Sequence, residues 1–314
     1  MVEEKKITSS EALKVSVCGL DFDNPIIPAS GTFGYGLEFK DLYDLNCLGS
    51  LALKGTTEEA RYGNPIPRIA ETPSGMLNAV GLQNPGFEEV LDKELPRLKK
   101  VFSKKVIANI CGFSTEEYVK VAKAFDREEA VGILEINVSC PNVKHGGMSF
   151  GTDPSCAKEI TQAVKEATTK PVFMKLTPND TNIVKVAEAC VEGGADGISL
   201  INTVLGMRID LKRKKPLLAN RTGGLSGPAI FPIAIRAIYD VYEAVEVPIM
   251  GGGGVFTAED VLEMMLAGAS LVQIGSANLV EPFTCPKIIE QLPETMKTYR
   301  MDSLAEAIGM AHES

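Results

Sequence analysis

The chain has 314 residues and a formal net charge of −9 at pH 7, with 45% apolar and 23% charged residues. This balance is typical of a protein with a sizeable hydrophobic core, and the acidity argues against nucleic acid as a partner, because nucleic-acid binders concentrate basic charge. Seven cysteines without a C-x-x-C pair indicate no zinc or iron–sulfur framework and favour a reducing cytoplasm.

The N-terminus has no apolar core, so we expect no signal peptide. No apolar run approaches the ~18 residues that a membrane-spanning helix needs. Both observations predict a cytoplasmic protein that binds no membrane.

Short strand-like runs alternate with helical patterns from one end of the chain to the other. The predicted strands are residues 26–30, 48–54, 106–110, 133–138, 172–176, 197–201, 247–250 and 271–275. Apolar spacing predicts helices over residues 180–192 and 258–267, and Thr257 with Asp260 resembles a capping box at the start of the second. Eight β-then-α units favour an α/β fold, a (β/α)8 TIM barrel in one domain of residues 1–314, over an open doubly wound sheet.

Two connections are far longer than the usual ~2–6 residues. The first excursion runs from Gly55 to about Gly86, after the second predicted strand, and the second runs from Asn202 to Pro228, after the sixth. Both leave the carboxyl end of a strand, where such barrels place their chemistry. We therefore predict that they build a lid or a pocket wall at the C-terminal face.

Polar side chains stand where predicted strands end: Lys54, Asn109, Asn137, Lys175 and Asn202. A lysine at the end of an apolar strand is costly unless it is paired with an anion. Taken singly, each lysine could instead be a surface residue with its head group in water. Two of them at one face indicate an anionic ligand or cofactor.

The strand at 133–138 ends at Cys140, which precedes Pro141 and a glycine-rich loop. A thiol in this position suits a catalytic acid or base, although many free cysteines are inert and buried. A base role requires neighbours that favour the thiolate, because a free cysteine has a pKa of about 8.5. His145 in the loop suits a solvated or substrate-shielding role, and we predict no metal site.

Glycines mark the ends of the last two predicted strands, at residues 251–254 and at Gly275, which Ser276 follows. Loops at these positions form the phosphate cup that is common in this fold, although four glycines can also simply turn a tight corner. A dinucleotide fingerprint is excluded because Phe256 and Thr257 stand where its last glycine would be required. A phosphate cup, a buried lysine and a thiol together favour flavin mononucleotide (FMN).

The basic cluster of residues 212–215, from Lys212 to Lys215, is predicted to be a solvated loop, with partner docking or phosphate screening as the alternative.

Several longer motifs carry a family resemblance. They are the run 137–142 with 144–147, the run 78–86, the run 54–57, the segment 63–68, and residues 251–254 with Gly275 and Ser276. Over residues 15–290 the chain resembles class 1 dihydroorotate dehydrogenases, most closely the catalytic subunit of the class 1B enzymes. Family enzymes commonly have threonine in place of Ser276, and both residues offer a hydroxyl. Class 2 relatives have a serine base and a membrane-binding N-terminal extension. Cys140 and the short polar N-terminus of this chain both argue against that class.

The resemblance implies oxidation of (S)-dihydroorotate to orotate in de novo pyrimidine (UMP) biosynthesis. Cys140 would take the C5 proton while a hydride passes from C6 to flavin N5. The implied flavin contacts are Ser30, Lys54, Gly55, Asn109, Asn137, Lys175, Ile201, Gly227, Gly253, Gly254, Gly275 and Ser276. The implied substrate contacts are Lys54, Asn78, Ala79, Val80, Gly81, Leu82, Asn137, Asn202 and Thr203.

The resemblance also implies a partner. In class 1B, a second subunit with FAD and a [2Fe–2S] cluster passes electrons to NAD+, and a homodimer of catalytic subunits forms the core of a heterotetramer. The alternative within the family is class 1A, a homodimer that reduces fumarate. A more distant alternative is a flavin-free aldolase or lyase in which Lys175 forms a Schiff base.

Overall fold

The structure is a computed structural model that describes residues 11–139, 148–180 and 182–313. Cys140, His145 and the loop between them therefore lie outside the described residues.

Seven parallel strands form the central sheet of the molecule. In spatial order they are Ile26–Pro28, Ala269–Ile274, Ile249–Gly252, Gly197–Leu200, Val172–Lys175, Val131–Asn137 and Val106–Ile110. Every residue of these strands is buried, as expected for parallel strands that are covered on both faces. The predicted α/β barrel architecture is confirmed.

Residues 49–56 connect the two outer strands of this sheet. The Ala52 amide donates to Pro28 O at 3.1 Å on one side, and the Leu53 amide donates to Ile107 O at 2.9 Å on the other. The segment thus occupies the eighth position and closes the sheet into a barrel.

This eighth position differs from the predicted strand at 48–54. Only isolated bridges form in this region, between Ala52 and Ile107 and between Thr56 and Ile110. The ladder is interrupted between them because the Lys54 amide turns away and donates to Gly34 O at 3.0 Å.

Helices cover the outside of the barrel. The longer ones are Thr115–Asp126, Pro154–Lys165, Ile183–Glu192, Phe231–Tyr242, Ala258–Leu266 and Thr284–Thr298. Shorter helical segments are Glu11–Leu13, Leu45–Cys47, Phe87–Glu89, Val90–Glu94, Leu95–Leu98, Met148–Gly151, Pro228–Ile230, Ala277–Val280, Leu304–Ala307 and Met310–His312. Both predicted helices are confirmed, and so is the capping box of Thr257 and Asp260. Among the described residues, no helix has the length and apolar character to span a membrane.

The two long excursions meet in one antiparallel sheet. Ile69–Thr72 and Gly75–Asn78 come from the first excursion, and Val204–Gly206 and Gly223–Ser226 come from the second. Gly75–Asn78 pairs with Gly223–Ser226 and so joins them. The excursions form a continuous wall at the C-terminal face, as predicted.

Two small hairpins complete the fold. Val15–Val17 pairs with Leu20–Phe22 near the N-terminus, and Ile209–Asp210 pairs with Lys215–Pro216 within the second excursion. The basic residues 212–215 lie in and beside the turn of the second hairpin and are all exposed, in keeping with the predicted solvated loop.

Candidate functional site

A cavity of about 210 Å³ lies at the carboxyl ends of the barrel strands, between the barrel and the wall of the excursions. Most of the residues predicted to contact flavin or substrate line it. They are Ser30, Lys54, Gly55, Asn78, Val80, Gly81, Leu82, Asn109, Asn137, Lys175, Ile201, Asn202, Thr203, Gly253, Gly254, Gly275 and Ser276. Residues that are more than 200 positions apart in the chain thus converge on one space.

Two of the predicted contacts do not line the cavity. Ala79 is fully buried and packs with Leu77 and Leu218 beneath the wall. Gly227 stands behind Gly254, because a Cβ on Gly254 would lie 2.7 Å from Gly227 O.

The cavity has a polar floor, which we define as Asn109, Glu135, Lys175, Ser199 and Gln273. All five side chains are buried and come from five of the parallel strands. Glu135 accepts hydrogen bonds from Ser199 Oγ (2.6 Å), Gln273 Nε2 (2.8 Å) and Asn109 Nδ2. Lys175 Nζ lies 3.5 Å from Glu135 Oε1 and donates to Gln273 Oε1 at 3.0 Å.

The floor contains a charged pair. Burial acts to raise the pKa of Glu135, but the Lys175 ammonium and the three hydrogen bonds outweigh it and hold this pKa below its usual value. Glu135 is therefore a carboxylate beneath the cavity. The sequence led us to expect an anionic ligand as the partner of Lys175, and the anion beside it is instead a residue of the same chain.

Glu135, Ser199 and Gln273 were not among the predicted site residues. A signal for Glu135 was present, because it is the only charged residue of Val131–Asn137. It lies two positions before Asn137, so both side chains share one face of the strand. Gln273 gave a similar signal in the apolar strand Ala269–Ile274.

Amide side chains form one wall of the cavity. Asn137 Oδ1 accepts from Ser139 Oγ at 2.9 Å, and Asn202 Nδ2 donates to the same Ser139 hydroxyl at 2.8 Å. On the excursion wall, Asn78 Nδ2 lies 3.5 Å from Gly224 O, at the limit of a hydrogen bond. This set of donors and acceptors suits a flat ligand rich in carbonyl and N–H groups.

A second cation faces the cavity from the eighth position of the barrel. Lys54 is half-buried and lines the cavity. A Cβ placed on Gly31, another lining residue, would lie 3.6 Å from Lys54 Nζ. The ammonium can therefore bind an anionic group of a ligand.

Glycines shape the opposite end. Gly253 and Gly254 have φ values of +135° and +81°, which L side chains rarely adopt. A Cβ on Gly275 would have only Ala29 Cβ nearby, at 3.8 Å, so this backbone faces open space. A ligand group can approach the main chain there.

The helix that follows the Gly253–Gly254 turn is already capped by its own residues. Asp260 Oδ2 accepts from the amides of Phe256 (2.8 Å) and Thr257 (2.9 Å). Both amides are therefore engaged within the chain. Within the described residues, no cluster of His, Cys, Asp and Glu could hold a metal ion.

Known proteins resemble the chain over nearly its whole length. A family model described as dihydroorotate dehydrogenase matches residues 12–296. A protein from Bacillus mycoides (strain KBAB4) is 55% identical over 297 residues, which cover 95% of this chain and 96% of the relative. A protein from Bacillus pumilus (strain SAFR-032) is 55% identical over 304 residues, covering 96% and 98%. Both are described as "dihydroorotate dehydrogenase B (NAD(+)), catalytic subunit". The chain belongs to the dihydroorotate dehydrogenase family.

Proposed function

We propose that this chain is the catalytic subunit of an NAD-linked, class 1B dihydroorotate dehydrogenase that oxidises (S)-dihydroorotate to orotate in pyrimidine biosynthesis. The observation that carries the proposal is one cavity in which two lysines, an amide wall and two glycine loops converge. The family match over residues 12–296 spans all of these elements.

FMN is the proposed cofactor, and the lining residues fit it. The main chain at Gly275 borders open space. The phosphate of FMN can therefore approach this loop and the Gly253–Gly254 turn. Lys175 Nζ is held at the floor by Glu135 and Gln273, where a flavin ring can lie against it. When bound, FMN supplies the capacity to accept a hydride.

The substrate is proposed to bind between the floor and the excursion wall. Lys54 can pair with the carboxylate of dihydroorotate, and the amides of Asn78, Asn137 and Asn202 can hold the polar edges of its ring. These contacts would orient C6 and exclude water from it.

Cys140 is the proposed general base that removes the C5 proton. It lies outside the described residues, but the residue before it, Ser139, is fully buried and contacts the cavity-lining Asn137 and Asn202. Ser139 is thus part of the wall against which the substrate is proposed to lie, and this supports a base at the next position in the sequence.

A partner subunit is part of the proposal. The relatives' names call them catalytic subunits and refer to NAD(+). We propose that a second subunit with FAD and a [2Fe–2S] cluster carries electrons to NAD+, and that two catalytic chains form the core of a cytoplasmic heterotetramer. The cysteine pattern of this chain gives no cluster framework of its own.

The Schiff-base alternative is disfavoured by the floor. A nucleophilic lysine must be neutral to attack a carbonyl. The Glu135 carboxylate, 3.5 Å from Lys175 Nζ, favours the charged ammonium instead. Borohydride with a carbonyl substrate should therefore trap no covalent adduct on Lys175.

A purification and a pair of assays test the proposal. The tagged chain, expressed in its native cell, should be yellow, release FMN on denaturation and co-purify with a flavin and iron–sulfur protein. The complex should reduce NAD+ with dihydroorotate, and the isolated chain should turn over poorly with fumarate. A colourless protein would contradict the cofactor assignment, and efficient fumarate reduction by the chain alone would support class 1A.

A further inference from the structure

The floor of the cavity is organised around a residue that does not line it. Lys175, Gln273 and Asn109 border the cavity, whereas Glu135 is fully buried behind them. Strand register brings them together, since Asn109 pairs with Glu135 and Lys175 pairs with Ser199 across neighbouring strands. Glu135 can act on a ligand only through the other floor residues.

Both carboxylate oxygens of Glu135 are engaged. Oε1 accepts from Ser199 and Gln273 and lies beside Lys175 Nζ, while Oε2 accepts from Asn109. A buried charge is costly unless it is paired, and these donors pair the charge of Glu135. The position of the carboxylate is therefore fixed from several sides.

Gln273 links the two charges in one orientation. Its Nε2 donates to Glu135 and its Oε1 accepts from Lys175. The reverse orientation would place the amide N–H groups against the ammonium and the amide oxygen against the carboxylate. The negative charge of Glu135 thus keeps an acceptor facing Lys175, and this restrains the ammonium at the edge of the cavity.

We propose that Glu135 is a positioning residue that keeps Lys175 charged and directed at the cavity, and so sets the positive charge that a bound flavin meets. The part about flavin rests on the proposed function, whereas the part about the charge state of Lys175 does not. A buried lysine without a counter-charge tends to lose its proton, and Lys175 has a relative exposure of only 6%.

Few other titratable groups face this pair. Lys54 lines the same cavity, and Cys111 Sγ lies 3.4 Å from Asn109 Oδ1, on the far side of that amide. Among the described cavity and floor residues, Glu135 is the only carboxylate beside Lys175.

The first test uses the protein freed of flavin, so that it does not depend on the proposed function. In Glu135→Gln, Lys175 loses its counter-charge and its pKa should fall below that of the unfolded chain. The unfolded state then binds more protons than the folded state, so the stability of the variant should rise with pH. The loss of melting temperature relative to the parent should be largest near about pH 6 and shrink towards about pH 10, where lysine approaches its ordinary pKa.

Two further variants separate charge from packing. Ser199→Ala removes one hydrogen bond to Glu135 without changing charge, so its loss of melting temperature should be the same throughout the range from about pH 6 to about pH 10, where Glu135 stays ionised. The double variant E135Q/K175M contains no unpaired charge and should be more stable than E135Q at pH 6. A pH-independent loss in E135Q, or a double variant less stable than E135Q, would show a purely structural role and overturn the proposal.

The second test measures the flavin midpoint potential across the same pH range. Relative to the parent at each pH, E135Q should have a higher potential at low pH, where Lys175 is charged and uncompensated. It should fall to the level of the double variant E135Q/K175M at high pH, where Lys175 is neutral and neither floor position carries a charge. Glu135→Asp, which restores the charge, should remove this pH dependence.

The outcomes distinguish the two proposals. A constant offset between E135Q and the parent would overturn the role of Glu135 even if the enzyme oxidises dihydroorotate. A protein that binds no flavin would overturn the proposed function, while the unfolding experiments would still report on the pair. If E135Q does not fold but E135Q/K175M does, the charge explanation is supported, and failure of both would refute it.

Discussion

The polar floor of the cavity differs in construction from its rim, which we define as the cavity-lining residues Asn78, Val80, Gly81 and Leu82 of the first excursion. The floor comes from regular strands, and its charges are paired within the chain, as in the contact of Glu135 with Lys175. The rim comes from an excursion, and the side-chain amide of its Asn78 lies 3.5 Å from Gly224 O, at the limit of a hydrogen bond. We interpret the floor as a preorganised electrostatic environment and the rim as the place where hydrogen-bonding capacity remains for a substrate.

The largest effect is expected at Cys140, the proposed general base. Cys140→Ala should retain flavin and orotate binding but lose about 10²–10⁴-fold in turnover, the usual contribution of a general base. Stopped-flow measurement of flavin reduction would show it. Cys156→Ala is a matched control, since this half-exposed thiol lies on the outer helix Pro154–Lys165, and near-normal rates for Cys140→Ala would reject the assigned role.

The next largest effect concerns the floor. Lys175→Met should lower the free energy of unfolding by about 3–5 kcal/mol near neutral pH, because it leaves the buried Glu135 charge without its partner. The pKa of Glu135 should then rise above its unfolded value, so the loss should diminish as the pH falls and the carboxylate becomes protonated. Urea denaturation at several pH values measures this.

A surface pair provides the control for Lys175→Met. Lys158 Nζ lies 2.8 Å from Glu192 Oε2, but both side chains are substantially exposed. Lys158→Met should therefore cost less than about 1 kcal/mol. Equal losses in the two variants would contradict the importance of burial at the floor.

Two glycine variants separate an effect on stability from an effect on ligand binding. Gly254→Ala should destabilise the fold by roughly 1–3 kcal/mol, because φ is +81° and the new Cβ would lie 2.7 Å from Gly227 O. Gly275→Ala should keep the melting temperature and weaken FMN binding, because its methyl group would enter open space. Thermal unfolding measures the stability of both variants, and titration with FMN measures their binding. Tight FMN binding by Gly275→Ala would argue against a phosphate at this loop.

The smallest effect is expected at the rim. Asn78→Ala should raise the KM for dihydroorotate about tenfold, equivalent to ~1.4 kcal/mol, with little change in stability because the native contact is weak. Asn220→Ala, at an exposed position of the second excursion, should leave KM unchanged. An unaltered KM for Asn78→Ala would remove this residue from the substrate site.

The regular parts of this molecule could be predicted from the sequence because each carries a local signal. The ends of the predicted strands put Asn109, Asn137 and Lys175 at one face, and in the structure all three line one cavity. Thr257 with Asp260 marked a helix start, which the structure confirms. These features depend on near neighbours in the chain and on the two-residue repeat of a strand.

Features that depend on distant residues could not be predicted in the same way. The irregular course of residues 49–56 depends on the contact of Lys54 with Gly34, which has no sequence signature. The partner of Lys175 is 40 positions away, and only strand register brings Glu135 beside it. The pairing of the two excursions in one sheet also depends on tertiary structure.

If the cavity holds a flavin as proposed, this flavin should oxidise dihydroorotate directly. Anaerobic mixing of the purified protein with one equivalent of (S)-dihydroorotate tests this claim without a partner subunit or an external acceptor. We predict that the visible flavin absorption bleaches as orotate appears in equal amount. A bound flavin that stays oxidised, or a protein without flavin, would contradict the account.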